Sequence, residues 1–149
     1  MPHFALQNSP QGPLLLAYIG VSQARSAALT AAGQAIPGAV PIQALVDTGA
    51  SCTCIDPSVL QSLALTPTGI VTVNTPSTGA QPHIAQQFDV NIMIPGGLPT
   101  HIPLVVPNVP VVAAHLAAQQ GFQALIGRDI LAQCLFIYDG SIDQFTLAF

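Results

Sequence analysis

The sequence contains very few charged residues. Its 149 residues include two Arg and six Asp but no Lys and no Glu, so 5% are charged while 50% are hydrophobic. A net charge of −4 with only two cations offers no basic patch for phosphate groups. Nucleic acid is therefore not expected as a partner. A surface this neutral instead favours burial in a dimer or contact with a membrane.

Cysteine is also scarce, and its spacing excludes two classes of site. Cys52, Cys54 and Cys134 are an odd number without the spacing of a disulfide framework, so we expect reduced thiols. The Cys-Thr-Cys segment is a single close pair, and the four histidines are isolated from one another. A tetrahedral metal site needs further close ligands. We therefore expect neither a metal ion nor another cofactor.

The chain has no long apolar run, and its first residues do not predict a signal peptide. No cationic region precedes the apolar residues 14–19, and this run is too short to span a bilayer. A cytoplasmic protein is expected. The low charge and this run keep membrane association as an alternative.

Fourteen prolines and twelve glycines divide the chain into short segments with β-like patterns. The length fits one domain over residues 1–149, in which residues 1–40 supply an N-terminal strand and a connector. The predicted fold class is all-β. Strands are predicted at residues 14–21, 40–46, 70–74, 84–94, 102–106, 134–138 and 145–149.

Helical signals are few and short. Residues 25–35 predict either a short helix or a mobile connector, and residues 113–120 predict a helical turn. Asp56 has the character of a helix N-cap, with Pro57 at the first helical position. Residues 59, 60 and 63 would form the apolar face of that brief helix. Residues 75–82 favour a turn, so the strands on either side of them predict a long β-hairpin.

Two motifs carry the functional signal. The apolar residues 42–46 lead into Asp47-Thr48-Gly49 and then Ala50-Ser51. The segment Ile126-Gly127-Arg128-Asp129 follows about 80 residues later. With these motifs in this order, residues 14–149 resemble the retropepsin-type aspartic proteases. That single-domain, homodimeric family includes retroviral proteases and bacterial relatives.

The resemblance implies an all-β, closed β-barrel or sandwich with a flap hairpin and one or two short helices. It implies an aspartic endopeptidase in which Asp47 of each of two copies supplies half of a catalytic dyad. Thr48 would brace the two loops, the Gly49 carbonyl would bind the substrate chain, and Gly127 would pack behind the loop. The remaining residues implied for the site are Ala50 and Ser51 in the cleft, Ile126, Arg128 and Asp129 in the second motif, and Ser77, Thr78, Gly79 and Ala80 at the flap tip.

Some questions stay open at this level. Retroviral members carry an acid where this chain has Ser51, so Arg128 needs another partner, either Asp129, Asp56 or a carbonyl. The apolar residues 145–149 either pair across the dimer axis or complete the core of their own subunit. The fold also permits an alternative function, a catalytically silent dimeric module that binds extended peptides.

Overall fold

The computed structural model describes residues 1–74 and 81–149. The strands are β1 (His3–Gln7), β2 (Leu14–Val21), β3 (Val40–Val46), β4 (Cys54–Ile55), β5 (Gly69–Val73), β6 (His83–Ile94), β7 (Leu104–Ala113), β8 (Ala124–Ile126), β9 (Leu135–Asp139) and β10 (Gln144–Ala148). The helices are α1 (Gln23–Ala31), α2 (Pro57–Ser62), α3 (Ala117–Gln120) and α4 (Arg128–Leu131). The predicted flap tip, Ser77, Thr78, Gly79 and Ala80, lies outside the described residues.

Six of the strands close into a barrel. They pair in the order β2-β3-β8-β4-β7-β6, and β6 pairs back onto β2, while β5 extends from β6 as a hairpin arm. The β3–β8 and β4–β7 pairs are parallel, and the other pairs in this sheet are antiparallel. Barrel closure removes the exposed sheet edges that promote aggregation. The predicted all-β barrel is therefore confirmed.

The barrel core follows from alternation along the strands. In β2, every second residue from Leu15 to Val21 is buried, and β6 repeats the pattern from Phe88 to Ile94. Because successive side chains of a strand point to opposite faces, one face of each strand lines the core. α2 adds Val59 and Leu60 to the same apolar cluster.

A second, three-stranded sheet has the order β1-β10-β9. β10 is its central strand, and its residues Phe145 and Leu147 are both fully buried. Phe4 of β1 and Phe136 of β9 each pack on Phe145, with ring centroids 6.4 and 6.1 Å away respectively. Of the two alternatives for residues 145–149, this chain uses them to complete its own core.

Local signals predicted several elements well. β2 and β3 have the predicted bounds, and most of residues 25–35 belong to the helix α1, which begins at Gln23, rather than to a mobile connector. Asp56 caps α2 by accepting a hydrogen bond from the Ser58 amide at 3.0 Å, and Pro57 opens the helix as expected. Among residues 1–74 and 81–149, none of the helices has the length and apolar character needed to cross a bilayer.

The described residues hold four short helices, in keeping with the predicted all-β class. One predicted strand has different bounds in the structure. The strand predicted at residues 102–106 instead runs from Leu104 to Ala113, through two prolines. The pairing of β6 with β7 shifts in register between Val90 and Ile92, and Pro107 lies on β7 at this shift. Proline has no backbone N–H to donate, and at such a bulge the ladder does not require one. Pro107 therefore marks an irregularity within the strand rather than its end, and Pro110 lies opposite Asp89 in regular register.

Candidate active site

The Asp47 loop begins where β3 ends. The Asp47 amide donates to the Ile126 carbonyl at 3.0 Å, which continues the parallel pairing of β3 with β8. One carboxylate oxygen, Oδ1, accepts the Gly49 amide at 2.9 Å, and the Ala50 amide closes the turn on the Asp47 carbonyl at 3.2 Å. Within the described residues, the other oxygen, Oδ2, has no hydrogen-bond partner. Asp47 is half-buried, whereas the next two residues of the loop, Thr48 and Gly49, are exposed.

The second motif packs directly behind this loop. Ile126 is fully buried and lies opposite Val46 in the β3–β8 pair. A Cβ atom on Gly127 would lie 2.6 Å from both the carbonyl carbon and the carbonyl oxygen of Cys52. That separation is far shorter than a van der Waals contact, so position 127 requires glycine.

Arg128 finds its partners in the backbone of the loop. Its guanidinium Nη1 donates to the Thr48 carbonyl at 2.8 Å and to the Gly49 carbonyl at 3.2 Å. Its backbone amide donates to the Ala50 carbonyl at 3.0 Å. Carbonyl groups are thus the partner among the three alternatives. Charge-assisted hydrogen bonds of this kind hold the loop against α4, although Ser51 replaces the acid of the retroviral pattern.

Thr53 belongs to the same site, and reasoning from the sequence missed it. This threonine is completely buried, and its hydroxyl donates to Asp129 Oδ1 at 2.8 Å while its amide donates to Oδ2 at 2.9 Å. The hydroxyl oxygen accepts the Gly127 amide at 3.1 Å. Asp129 therefore links Thr53, which immediately precedes β4, to the first turn of α4. The two residues are 76 positions apart, and no local spacing connects them.

A cleft of about 400 Å³ opens beside the loop. Ser51 and Cys52, which follow the loop, line it together with residues of β5 and β6 and with Val112 of β7. The other lining residues are Val71, Thr72, Val73, Asn74, Gln87 and Pro110. None of these side chains is charged. Ser51 is among the residues that line this cleft, and Ala50 is not among them.

The Cys54 thiol, near the loop, is poorly suited to chemistry. Burial, with the nearby Cys52 adding to it, raises the pKa of the Cys54 thiol to about 12. A thiol with so high a pKa stays protonated at neutral pH, and the thiolate is the form that attacks substrates or binds metals. In the described ranges no group of three or more His, Cys, Asp or Glu side chains is arranged to hold a metal ion.

The fold thus brings most of the predicted site residues together. Pairing of β3 with β8 places Asp47, Thr48, Gly49 and Ala50 against the segment from Ile126 to Asp129. The four residues predicted at the flap tip cannot be placed. The cleft residues on β5, β6 and β7 carry no sequence motif, and only the pairing of the strands identifies them.

A sequence model of the aspartyl protease family matches residues 32–130, which is more than half of the chain and includes both motifs. In a search of solved structures, the chain is similar to a retropepsin-like aspartic protease from Rickettsia conorii, with a TM-score of 0.58 and 18% identity. That match covers 97% of this chain and 89% of the other. The comparison with curated protein sequences gave no match. The chain therefore belongs to the aspartyl protease family, with the retropepsin-like fold.

Proposed function

We propose that the protein is an aspartic endopeptidase whose catalytic dyad consists of the Asp47 carboxylates of two copies. The observation that carries the proposal is the geometry of the Asp47 loop, in a chain of the aspartyl protease family. One carboxylate oxygen is fixed by the Gly49 amide, and the loop backbone is held by Arg128. The chain has a single Asp-Thr-Gly sequence. A two-fold axis would supply the second carboxylate because it places identical residues face to face.

The reaction follows from the chemistry of two adjacent carboxyl groups. Two such groups at hydrogen-bond distance cannot both ionise, so the pair carries one proton and one negative charge. The ionised Asp47 accepts a proton from a bound water as its oxygen attacks the peptide carbonyl. The protonated Asp47 donates to the developing oxyanion. The pair then delivers a proton to the leaving amine, and the peptide bond breaks without a covalent intermediate.

The cleft favours an extended polypeptide with uncharged side chains. Val71, Val73 and Val112 supply apolar walls, while Thr72 and Gln87 provide polar groups. A charged side chain would be desolvated there without a partner, which is unfavourable. The Gly49 carbonyl has two lone pairs, so it can accept a substrate amide beside the Arg128 guanidinium. We therefore expect cleavage between hydrophobic residues.

Residues 1–149 act as one protease domain in this proposal. Residues 1–40 contribute β1, β2 and α1 to it. The β5–β6 hairpin would serve as the flap, with Ser77 to Ala80 closing over the substrate to exclude water.

The pH dependence of cleavage tests the mechanism. Peptides cut by the wild-type protein should show a bell-shaped profile of kcat/KM, because only the singly charged pair is active and it has two macroscopic pKa values. The measurement is mass spectrometry of a diverse peptide mixture from acidic to neutral pH, followed by kinetics on one cleaved peptide. The surface variant Asp139→Asn is the matched control and should keep the same profile.

A profile with a single inflection would contradict the shared proton, because one independent carboxylate titrates once. Peptide affinity without turnover at any pH, from a folded dimer, would instead support the silent peptide-binding module.

A further inference from the structure

Gln87 is a half-buried residue of β6 that lines the cleft beside the Asp47 loop. It lies opposite Gly69 of β5 on one side and opposite Val112 of β7 on the other. Val112 in turn lies opposite Cys54 in the parallel pair of β7 with β4. Neighbouring strands are about 4.8 Å apart, so Gln87 is about 10 Å from β4, and about three residues of an extended peptide cover that distance. A peptide in this cleft can therefore contact Gln87.

The backbone of Gln87 is fixed, whereas its side-chain amide is available. Its carbonyl accepts the Thr68 amide at 2.8 Å and the Thr68 hydroxyl at 3.4 Å. Within residues 1–74 and 81–149, the side-chain amide has no hydrogen-bond partner. A Cβ atom on Gly69 would lie 3.8 Å from Gln87 Nε2, so the amide lies beside a position that has no side chain to cover it. A ligand can bind this amide without replacing a hydrogen bond of the described residues.

The surroundings of this amide favour a partner that is polar but uncharged. Val71 and Val112 also line the cleft, and none of the lining side chains is charged. A charged partner would lose hydration there, and an amide left unpaired is unfavourable as well. A carboxamide contains both a donor and an acceptor, as the side chain of Gln87 does. Two carboxamides can therefore satisfy each other.

We propose that Gln87 is a specificity-determining residue, which selects substrates that carry an asparagine or glutamine side chain at one position. The Gln87 amide would donate to the carbonyl oxygen of that side chain and accept from its NH2 group. The apolar walls of the cleft favour hydrophobic residues at the neighbouring positions. This inference rests on the proposed function, and it names the substrate class of the same site: uncharged, largely apolar segments with one carboxamide.

The sequences of cleaved peptides test the selection. Peptides cut by the wild-type protein, aligned at the cut, should be enriched in asparagine and glutamine at one position. In a matched pair of peptides that differ only there, glutamine should give a kcat/KM about tenfold higher than methionine. Methionine has nearly the size of glutamine but no amide. The variant Gln87→Met should therefore lose this preference, and circular dichroism checks that it is folded.

A charged variant distinguishes recognition from a structural role. Gln87→Glu should favour lysine and arginine at the same position, by at least about tenfold over glutamine, because a carboxylate forms charge-assisted hydrogen bonds with these groups. The matched control is Gln86→Glu. Gln86 is the next residue of β6, so its side chain points to the opposite face, where it lines a separate pocket beside α2. This control should keep the wild-type preference.

Peptide binding to Asp47→Asn separates the inference from the proposed function. Peptides from the same mixture that this variant retains, identified by mass spectrometry, should show the same carboxamide enrichment. Adding Gln87→Met should abolish that enrichment. Carboxamide-rich peptides that are bound, but that the wild type does not cleave, would support the role of Gln87 and contradict the peptidase.

Three results would overturn the role of Gln87. The first is cleavage by the wild type without preference at any position for asparagine or glutamine. The second is an equal shift towards basic residues in Gln86→Glu and Gln87→Glu, which would reflect only the added charge. The third is the absence of carboxamide enrichment among the peptides that Asp47→Asn retains, including the case in which it retains none.

Discussion

Replacing Asp47 with asparagine should reduce kcat/KM for peptide cleavage by at least about 1,000-fold. General acid and base catalysis contribute about 100-fold to 10,000-fold, and a pair of amides can supply neither proton transfer. Asparagine preserves the shape of the side chain, and its oxygen can still accept the Gly49 amide that Asp47 Oδ1 accepts at 2.9 Å. The loop should therefore keep its conformation. Kinetics on a single cleaved peptide, at the optimum pH of the wild type, measure the loss.

The loss of kcat/KM in Asp47→Asn identifies a proton-transfer group only if the variant remains dimeric, because dissociation of the dimer would cause the same loss. Sedimentation of Asp47→Asn should match that of the wild type. Activity within about tenfold of the wild type would exclude Asp47 as the proton-transfer group, since that loss is smaller than either proton-transfer role predicts.

Asp56→Ala should lower the free energy of unfolding by about 3 kcal/mol at neutral pH. Asp56 is buried, and its Oδ1 accepts the amide and the hydroxyl of Ser58 at 3.0 and 2.6 Å. Its Oδ2 accepts the amides of Leu116 and Ala117, both at 2.8 Å. Alanine removes the cap of α2 and leaves the buried Leu116 amide without an acceptor, and each effect costs on the order of 1 to 2 kcal/mol. Urea unfolding with an unchanged m-value would measure the difference.

The stability that Asp56 contributes should depend on pH. Burial raises the pKa of this carboxyl, but the Ser58 hydroxyl and the three backbone amides outweigh burial and lower the pKa well below its usual range. The unfolded carboxyl titrates near a pKa of about 3.9, so the contribution is complete above that pH and is lost as pH falls towards the folded-state value. The difference in stability between wild type and Asp56→Ala should therefore shrink below about pH 4.

Asp139→Ala is the matched control for this prediction. Asp139-Gly140-Ser141 repeats the Asp-X-Ser arrangement on the surface, with Oδ1 accepting the amide and hydroxyl of Ser141 at 2.9 and 2.5 Å. Within the described residues, Asp139 has no counterpart of the two hydrogen bonds that Asp56 Oδ2 accepts from the amides of Leu116 and Ala117. The control should therefore lose much less stability. If the two variants lose the same free energy of unfolding, the hydrogen bonds from the amides of residues 116 and 117 to Asp56 do not stabilise the fold.

Features set by neighbouring residues could be predicted from the sequence. β2 and β3 have alternating or continuous apolar patterns bounded by turn residues, and α2 has an aspartate cap followed by proline. The Asp47 motif follows β3 directly, so its place at the end of a strand was also predictable. In each case the signal lies within a few residues of the feature.

Features set by distant pairings could not be predicted in this way. β1 joins β10 across almost the whole chain, and Thr53 meets Asp129 only because β4 and β8 are neighbours. β8 itself has three residues, too few to show a period. The predicted strand ended at residue 106, just before Pro107, and only the pairing with β6 reveals that the strand continues past this proline. Contacts of this kind depend on tertiary packing rather than local preference.

The central claim is that two copies share one dyad, and mixing active with inactive subunits tests it most directly. Wild-type and Asp47→Asn chains are unfolded together, refolded in equal amounts and assayed at constant total protein. If each active site needs Asp47 from both copies, random pairing leaves only about one quarter of the dimers active, so the mixture should retain about one quarter of the wild-type rate. Retention of about one half would mean that each chain works independently, which would contradict the shared dyad.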